Sequence, residues 1–243
     1  MNSIDDYTLK SSDNAKIEGA LSNEYTSKML IVLKEPHSDD DQIFWFYNVV
    51  NNLNDKSGKN ARRGTGKRFF NILGSMACSI LKDETDKEIA LKNCAYINLY
   101  PYDGKAVSEY NKSGYSLTYN AINAKRNEKN LTKNQNEKIS EWNNQKGCDI
   151  NRIAEKRIAL FDHLKECGIK YILTVPEIFN LLCNGNTTER FLTVEYGKNK
   201  NIQDFDQCTL SNGVTVFEFW HPSCTRISYD HLNEALECRK CNQ

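Results

Sequence analysis

The stretch Met29-Leu30-Ile31-Val32-Leu33-Lys34-Glu35-Pro36-His37 decides the fold class. Five consecutive apolar residues, ended by a charged pair and a proline, form a short run rich in Leu, Ile and Val that reads as a β-strand. The same signature recurs at Cys94–Leu99, Ile169–Val175, Arg190–Tyr196 and Val214–Trp220. Between these runs lie helical patterns. Phe69, Ile72, Leu73, Met76, Ile80 and Leu81 return at spacings of three and four within 68–82, which places them on one helix face. A second stripe runs through Ile153, Phe161 and Leu164, interrupted by Arg157, with Gly168 as a candidate C-cap. Pro176 suits the first turn of a helix after the third run, and 230–240 has the pattern of a C-terminal helix. Strands alternating with helices predict a three-layer α/β/α sandwich with a central, mostly parallel sheet.

Composition sets the bounds. The chain has 243 residues, 39% hydrophobic and 26% charged, enough to build a core without disulfides or metal. Lys plus Arg number 32, as do Asp plus Glu, so no global positive field advertises a nucleic-acid partner and any such binding must be local. No apolar run approaches the ~20 residues of a bilayer span. Asp5 and Asp6 stand where a signal peptide would carry basic residues, so a cytoplasmic location is expected. The nine cysteines are odd in number and mostly embedded in apolar runs, as core residues of a reducing compartment would be. Residues 1–28 read as a polar N-terminal segment and 29–243 as one domain with a polar, basic insertion near 103–150. Within that insertion, 122–146 is either a solvated helix or a mobile loop.

In an α/β sheet the residues just past the strands' carboxyl ends are the first place to look for chemistry. Here they read Lys34-Glu35-Pro36-His37-Ser38-Asp39 after the first strand, Asn98-Leu99-Tyr100-Pro101 after the second, and His221-Pro222-Ser223 after the last. Glu35 and His221 place a carboxylate and a hydrogen-bond donor at two of these ends, the pair that acid–base hydrolysis uses, and Asp39 is close enough in sequence to replace Glu35. Plainer readings stand beside these: Asn98 as a strand terminator, His221 as a packing histidine, and Phe69 as a core residue of its helical stripe. From Asn51 to Arg68 six basic residues against one acidic give a local charge of +5. Arg62, Arg63, Lys67 and Arg68 in that run suit phosphate contacts, although a solvated loop would look the same.

These strand ends resemble the motifs of the uracil-DNA glycosylase superfamily in order and approximate spacing. Leu33-Lys34-Glu35-Pro36-His37 stands at the first motif, Ile97-Asn98-Leu99-Tyr100-Pro101 at the second and His221-Pro222-Ser223 at the last. Thr65-Gly66-Lys67-Arg68-Phe69 resembles the intervening segment whose aromatic ring stacks on the extruded base. The resemblance implies a glycosylase-like fold, a DNA partner, a monomer, and neither cofactor nor metal. It implies that Glu35 or Asp39 activates water, that His221 stabilises the base anion and that Asn98 reads the base edge. Phe69, Pro36, His37 and Ser223 would contact the base, and Ser223 and Arg226 would meet the DNA.

Two departures bear on substrate. The first-motif glycine is replaced by Leu33 or Lys34, and His37 occupies the place where the uracil-specific branch has a tyrosine that excludes bases substituted at C5. A pocket open to larger pyrimidines is expected, with bulky modified cytosines of phage DNA (an antiviral role) and uracil (a repair role) as candidates. The alternative is a non-catalytic nucleic-acid or nucleotide binding module on the same fold. No cysteine precedes Cys78, so the superfamily's iron–sulfur framework is missing, and Cys238-Arg239-Lys240-Cys241 has no matching pair. Gly64-Thr65-Gly66-Lys67-Arg68 fails the spacing of a nucleotide-binding loop.

Overall fold

A computed structural model describes residues 27–34, 65–82, 85–101, 114–220 and 227–241. The strands are β1 (Met29–Leu33), β2 (Cys94–Asn98), β3 (Tyr171–Thr174), β4 (Thr188–Tyr196), β5 (Asn201–Thr209) and β6 (Thr215–Glu218). The helices are α1 (Thr65–Leu81), α2 (Lys87–Lys92), α3 (Gly114–Arg126), α4 (Lys133–Lys146), α5 (Ile150–His163), α6 (Pro176–Cys183) and α7 (Tyr229–Cys241). One six-stranded sheet runs β2-β1-β3-β6-β5-β4. Its first four strands are parallel, while β5 and β4 extend it antiparallel, so the chain is an α/β protein with a mixed sheet.

Every residue of β1 and β2 is buried, which suits the unbroken apolar run of β1 and takes in the polar Asn98 at the end of β2. Register shows which helices cover which face, since paired residues share a side. Met29, Ile31 and Leu33 of β1 pair with Cys94, Tyr96 and Asn98 of β2, and Ile31 pairs with Leu173, which pairs with Phe217. On this face Phe217 packs on Phe191 (centroids 4.6 Å apart), over which Arg239 of α7 lies at 4.1 Å. Cys78 of α1 is close enough to Cys94 for their thiols to interact, and burial pushes Cys94 up. Ser75 of α1 donates to Asn233 of α7 at 3.1 Å, and Lys87 of α2 to the Tyr229 hydroxyl. On the opposite face Lys34 reaches Glu177 of α6, and Asn184, just after α6, donates to Asn127, just after α3. Helices thus cover both faces.

The polar stretch 122–146 divides. Its first residues complete α3, which buries Leu117, Ala121 and Ile122, so they are an integral layer of the fold. The rest forms α4, which buries Ile139 and is otherwise a solvated helix, closed by a Thr132–Gln135 capping box and by Gly147 in the left-handed region (φ 64°). The helix with the interrupted stripe, α5, ends at His163. Gly168 does not cap it directly but turns the chain into β3 at φ 82°.

A candidate active site at the carboxyl edge of the sheet

Four parallel strands bring their carboxyl ends to one edge. The chain leaves the end of β1 toward β2 and the end of β3 toward the other side of the sheet, so the two connections part and open a crevice between those ends, the place where such sheets bind ligands. The ends of β1 and β2 are stitched together: Leu99 N–H donates to the Leu33 carbonyl at 2.7 Å and Tyr100 N–H to that of Lys34 at 2.9 Å. From the α5 side Arg157, fully buried, donates through Nε to the Leu99 carbonyl at 3.2 Å. Tyr100 is held by Trp142, whose Nε1–H donates to its hydroxyl at 2.9 Å. Its ring lies so close to Gly114 that a Cβ there would fall 2.1 Å from Tyr100 Cζ, which only glycine avoids. The peptide Asn98-Leu99-Tyr100-Pro101 is therefore rigidly seated.

Asn98 is 1% exposed and lies on the α1/α7 face, where the Tyr96 hydroxyl, two residues back on the same side of the strand, donates to its Oδ1 at 3.2 Å. This bond orients the amide and directs Nδ2–H away from Tyr96. Burial holds the Tyr96 phenol protonated, as a donor, by pushing its pKa up. The first turn of α1 belongs to the same region. Cys78 sits beside Cys94, at the foot of β2. Thirteen residues of helix climb about 20 Å from there, against about 13 Å for the four steps of strand to Asn98. The backbone of Lys67, Arg68 and Phe69 accordingly stands at the carboxyl edge on Asn98's face.

On the α3/α6 face a second set of groups converges, which the sequence reading missed apart from Lys34. Lys34 Nζ pairs with Glu177 Oε1 at 2.6 Å and lies over the Tyr115 ring at 5.6 Å. Glu177 is in the first turn of α6, which starts with Pro176 at its N-terminus as the sequence predicts. Glu218, at the end of β6, accepts from Asp206 N–H at 3.3 Å. Its carboxyl is raised above the ordinary value by burial, a shift that the Asp206 N–H donor partly offsets and the charges of Asp206 and Glu177 reinforce. Nothing in the local sequence marks Glu177 or Glu218, because strand-end and helix-start glutamates are common. Only their convergence distinguishes them.

The raised carboxyl has a measurable consequence. A carboxyl whose pKa is higher in the folded than in the unfolded chain binds its proton more tightly when folded. Stability is then greatest below the unfolded value and declines as pH rises through the folded one. Glu218→Gln, which keeps an oxygen for Asp206 N–H, is expected to melt above wild type at about pH 7.5 and with it at about pH 4. Thermal melts at both values decide this; an equal difference at the two would contradict it.

Glu35, Pro36, His37, Asp39, Arg62, Arg63, His221, Ser223 and Arg226 lie outside the described residues. Among the described residues no group of three His, Cys, Asp or Glu is arranged to hold a metal ion, and no helix is long and apolar enough to cross a membrane. An open groove of about 620 Å³ lies between α3 and α5, lined by Lys125, Arg126, Glu155, Asp162 and His163. It sits by the carboxyl ends of those helices, and α3 begins near Lys34, so the groove is remote from the strand ends. Compared with protein-family models, curated proteins and solved structures, the chain matches none.

Proposed function

We propose that this chain is a monofunctional DNA N-glycosylase, a hydrolase that flips a modified or deaminated pyrimidine out of DNA and cleaves its glycosidic bond to leave an abasic site. One observation carries the reading. The strand ends preceding Glu35 and His221 and bearing Asn98 come to a single edge, on strands ordered β2-β1-β3-β6, and the α1 turn bearing Phe69 stands at that edge on the face of Asn98. Residues 65 apart in sequence, Leu33 and Asn98, are register partners. A reaction that needs a carboxylate at the sugar and donors at the base requires such convergence.

In this mechanism the flipped base stacks on Phe69, and Asn98, its amide oriented by Tyr96, donates through Nδ2–H to an acceptor on the base edge. The bond from C1′ to the base nitrogen breaks with the electron pair leaving on the base, where His221 donates a hydrogen bond to the developing anion. Glu35 or Asp39 takes a proton from the water that adds to C1′. Lys34 is adjacent to this chemistry but is held by Glu177 at 2.6 Å, and this reading gives it no nucleophilic step. Hydrolysis without strand cleavage follows.

The test is a panel of DNAs containing uracil, hypoxanthine, hydroxymethylcytosine or glucosylated hydroxymethylcytosine, treated with wild type, Glu35→Gln or His221→Ala and then with alkali. Product from one base, lowered about 10²–10³-fold in either variant while DNA binding persists, is the expected result. Binding without product on any member would favour a non-catalytic binding module instead.

A further inference from the structure

The β4–β5 ribbon plays no part in the chemistry above, and its register tells where it points. Asp206 lies beside Glu218, and Gln207 pairs with Phe217. β6 ends at Glu218, whereas β5 begins five residues before Asp206, at Asn201, which pairs with Tyr196 of β4. At about 3.4 Å per residue those five residues carry the ribbon roughly 17 Å beyond the carboxyl edge. Its inner flank is fastened there. Trp220, the residue before His221, meets Tyr196 at 5.5 Å and Phe205 at 5.8 Å, both edge-on, and Phe219 meets Phe205 at 4.7 Å. The ribbon is a braced arm standing beside the stretch that leads to His221.

The arm's outer end reads Tyr196-Gly197-Lys198-Asn199-Lys200-Asn201-Ile202-Gln203, with two lysines and no acid. Gly197 and Lys200 adopt φ of 74° and 52° to close the turn, which leaves Lys198 and Asn199 exposed at its apex. The arm's acids lie below the apex. Asp204 pairs with Arg190 at 2.9 Å, and Glu195 with Lys200 at 3.5 Å. Ile202 is 67% exposed, an apolar side chain held in water next to the basic apex.

We propose that this arm is a contact for duplex DNA and gives the protein its preference for double-stranded over single-stranded substrate, an inference that rests on the glycosylase reading. A two-stranded ribbon is one of the shapes that the major groove, about 12 Å wide, admits. Lys198 meets a phosphate and Lys200 exchanges Glu195 for another, Asn199 and Asn201 offer side-chain amides to base edges, and Ile202 packs against a thymine methyl group or a base step. A single strand offers no groove for the ribbon to enter. The basic first turn of α1 lies over β2 and the arm lies at the far end of the sheet. DNA touching both covers about five strand spacings, roughly 24 Å.

The test compares wild type, a Lys198→Glu/Lys200→Glu double variant and Ile202→Ser. Affinity and single-turnover base release are measured over a salt series, on one oligonucleotide carrying the base released in the panel, as single strand and as duplex. For the double variant, duplex affinity is expected to fall about tenfold or more, and the slope of log K against log salt to lose about 1.8, two phosphates at 0.9 each. Single-strand release and the melting temperature stay at wild-type values. Ile202→Ser loses duplex affinity with the slope unchanged. Wild-type duplex affinity and slope in the double variant, or equal losses on both DNAs, would overturn the proposal while leaving the glycosylase reading intact. A wild type that releases no base and binds neither DNA in a salt-dependent way would overturn that reading, and the arm's role with it.

Discussion

Asn98→Asp is expected to lower single-turnover base release by about 10²–10³-fold while duplex affinity stays within a few fold of wild type. The substitution keeps the shape of the side chain and the oxygen that accepts from Tyr96 at 3.2 Å, but it replaces the Nδ2–H donor by an acceptor. A base edge that presents a carbonyl to a donor then faces a second lone pair in a site already sealed from water, since Asn98 is 1% exposed. Tyr96→Phe separates orientation from contact. It leaves the amide in place without its anchor, and a loss of about tenfold is expected, with stability lower by roughly 1 kcal/mol for one hydrogen bond. Rates at saturating enzyme, measured beside DNA affinity, test both. If Asn98→Asp released base at the wild-type rate, Asn98 would be a strand terminator and no more.

Arg157→Leu is expected to cost about 2 kcal/mol of stability, which for a chain of this size lowers the melting temperature by roughly 4–8 °C. The guanidinium is fully buried, and its Nε–H donates to the Leu99 carbonyl in the turn that follows Asn98. Leucine is much shorter, so it leaves a void where the guanidinium lay, leaves that carbonyl without its donor in a dry interior and cannot reproduce the planar group. Arg157→Lys keeps the charge and loses the fork, so it should fall between the two. Because Arg157 acts on the backbone next to Asn98, part of the defect is expected in base release at temperatures well below the melt. A leucine variant that melted with wild type would show the buried charge to be dispensable.

The same arginine illustrates what sequence reading misjudges. In the stripe Ile153, Phe161, Leu164, position 157 looks like an interruption, yet it lies on the buried side with its neighbours. A charged residue at an apolar position reads as a fault until its partner, the Leu99 carbonyl 58 residues away, is known. β5 was hidden for a related reason. Asn201-Ile202-Gln203-Asp204-Phe205-Asp206-Gln207-Cys208-Thr209 buries only Phe205 and Cys208, and its strand character comes from β4 and β6 on either side. A polar segment with two inward residues has no periodicity strong enough to announce itself.

By itself the sequence determined the elements whose signal is local: β1 residue for residue, β2, β3, β4 and β6 to within two residues at each end, the proline start of α6 and the helix over 229–241. Burial on both faces leaves an apolar run, and a missing N–H leaves a proline, without reference to the rest of the chain. The tertiary structure alone decided adjacency. That Leu33 stands beside Asn98, that Lys34, Glu177 and Glu218 share one crevice, and that the β4–β5 arm overhangs the edge are consequences of strand order and register. Those are set by the summed packing of both sheet faces, a quantity that no single stretch of chain contains.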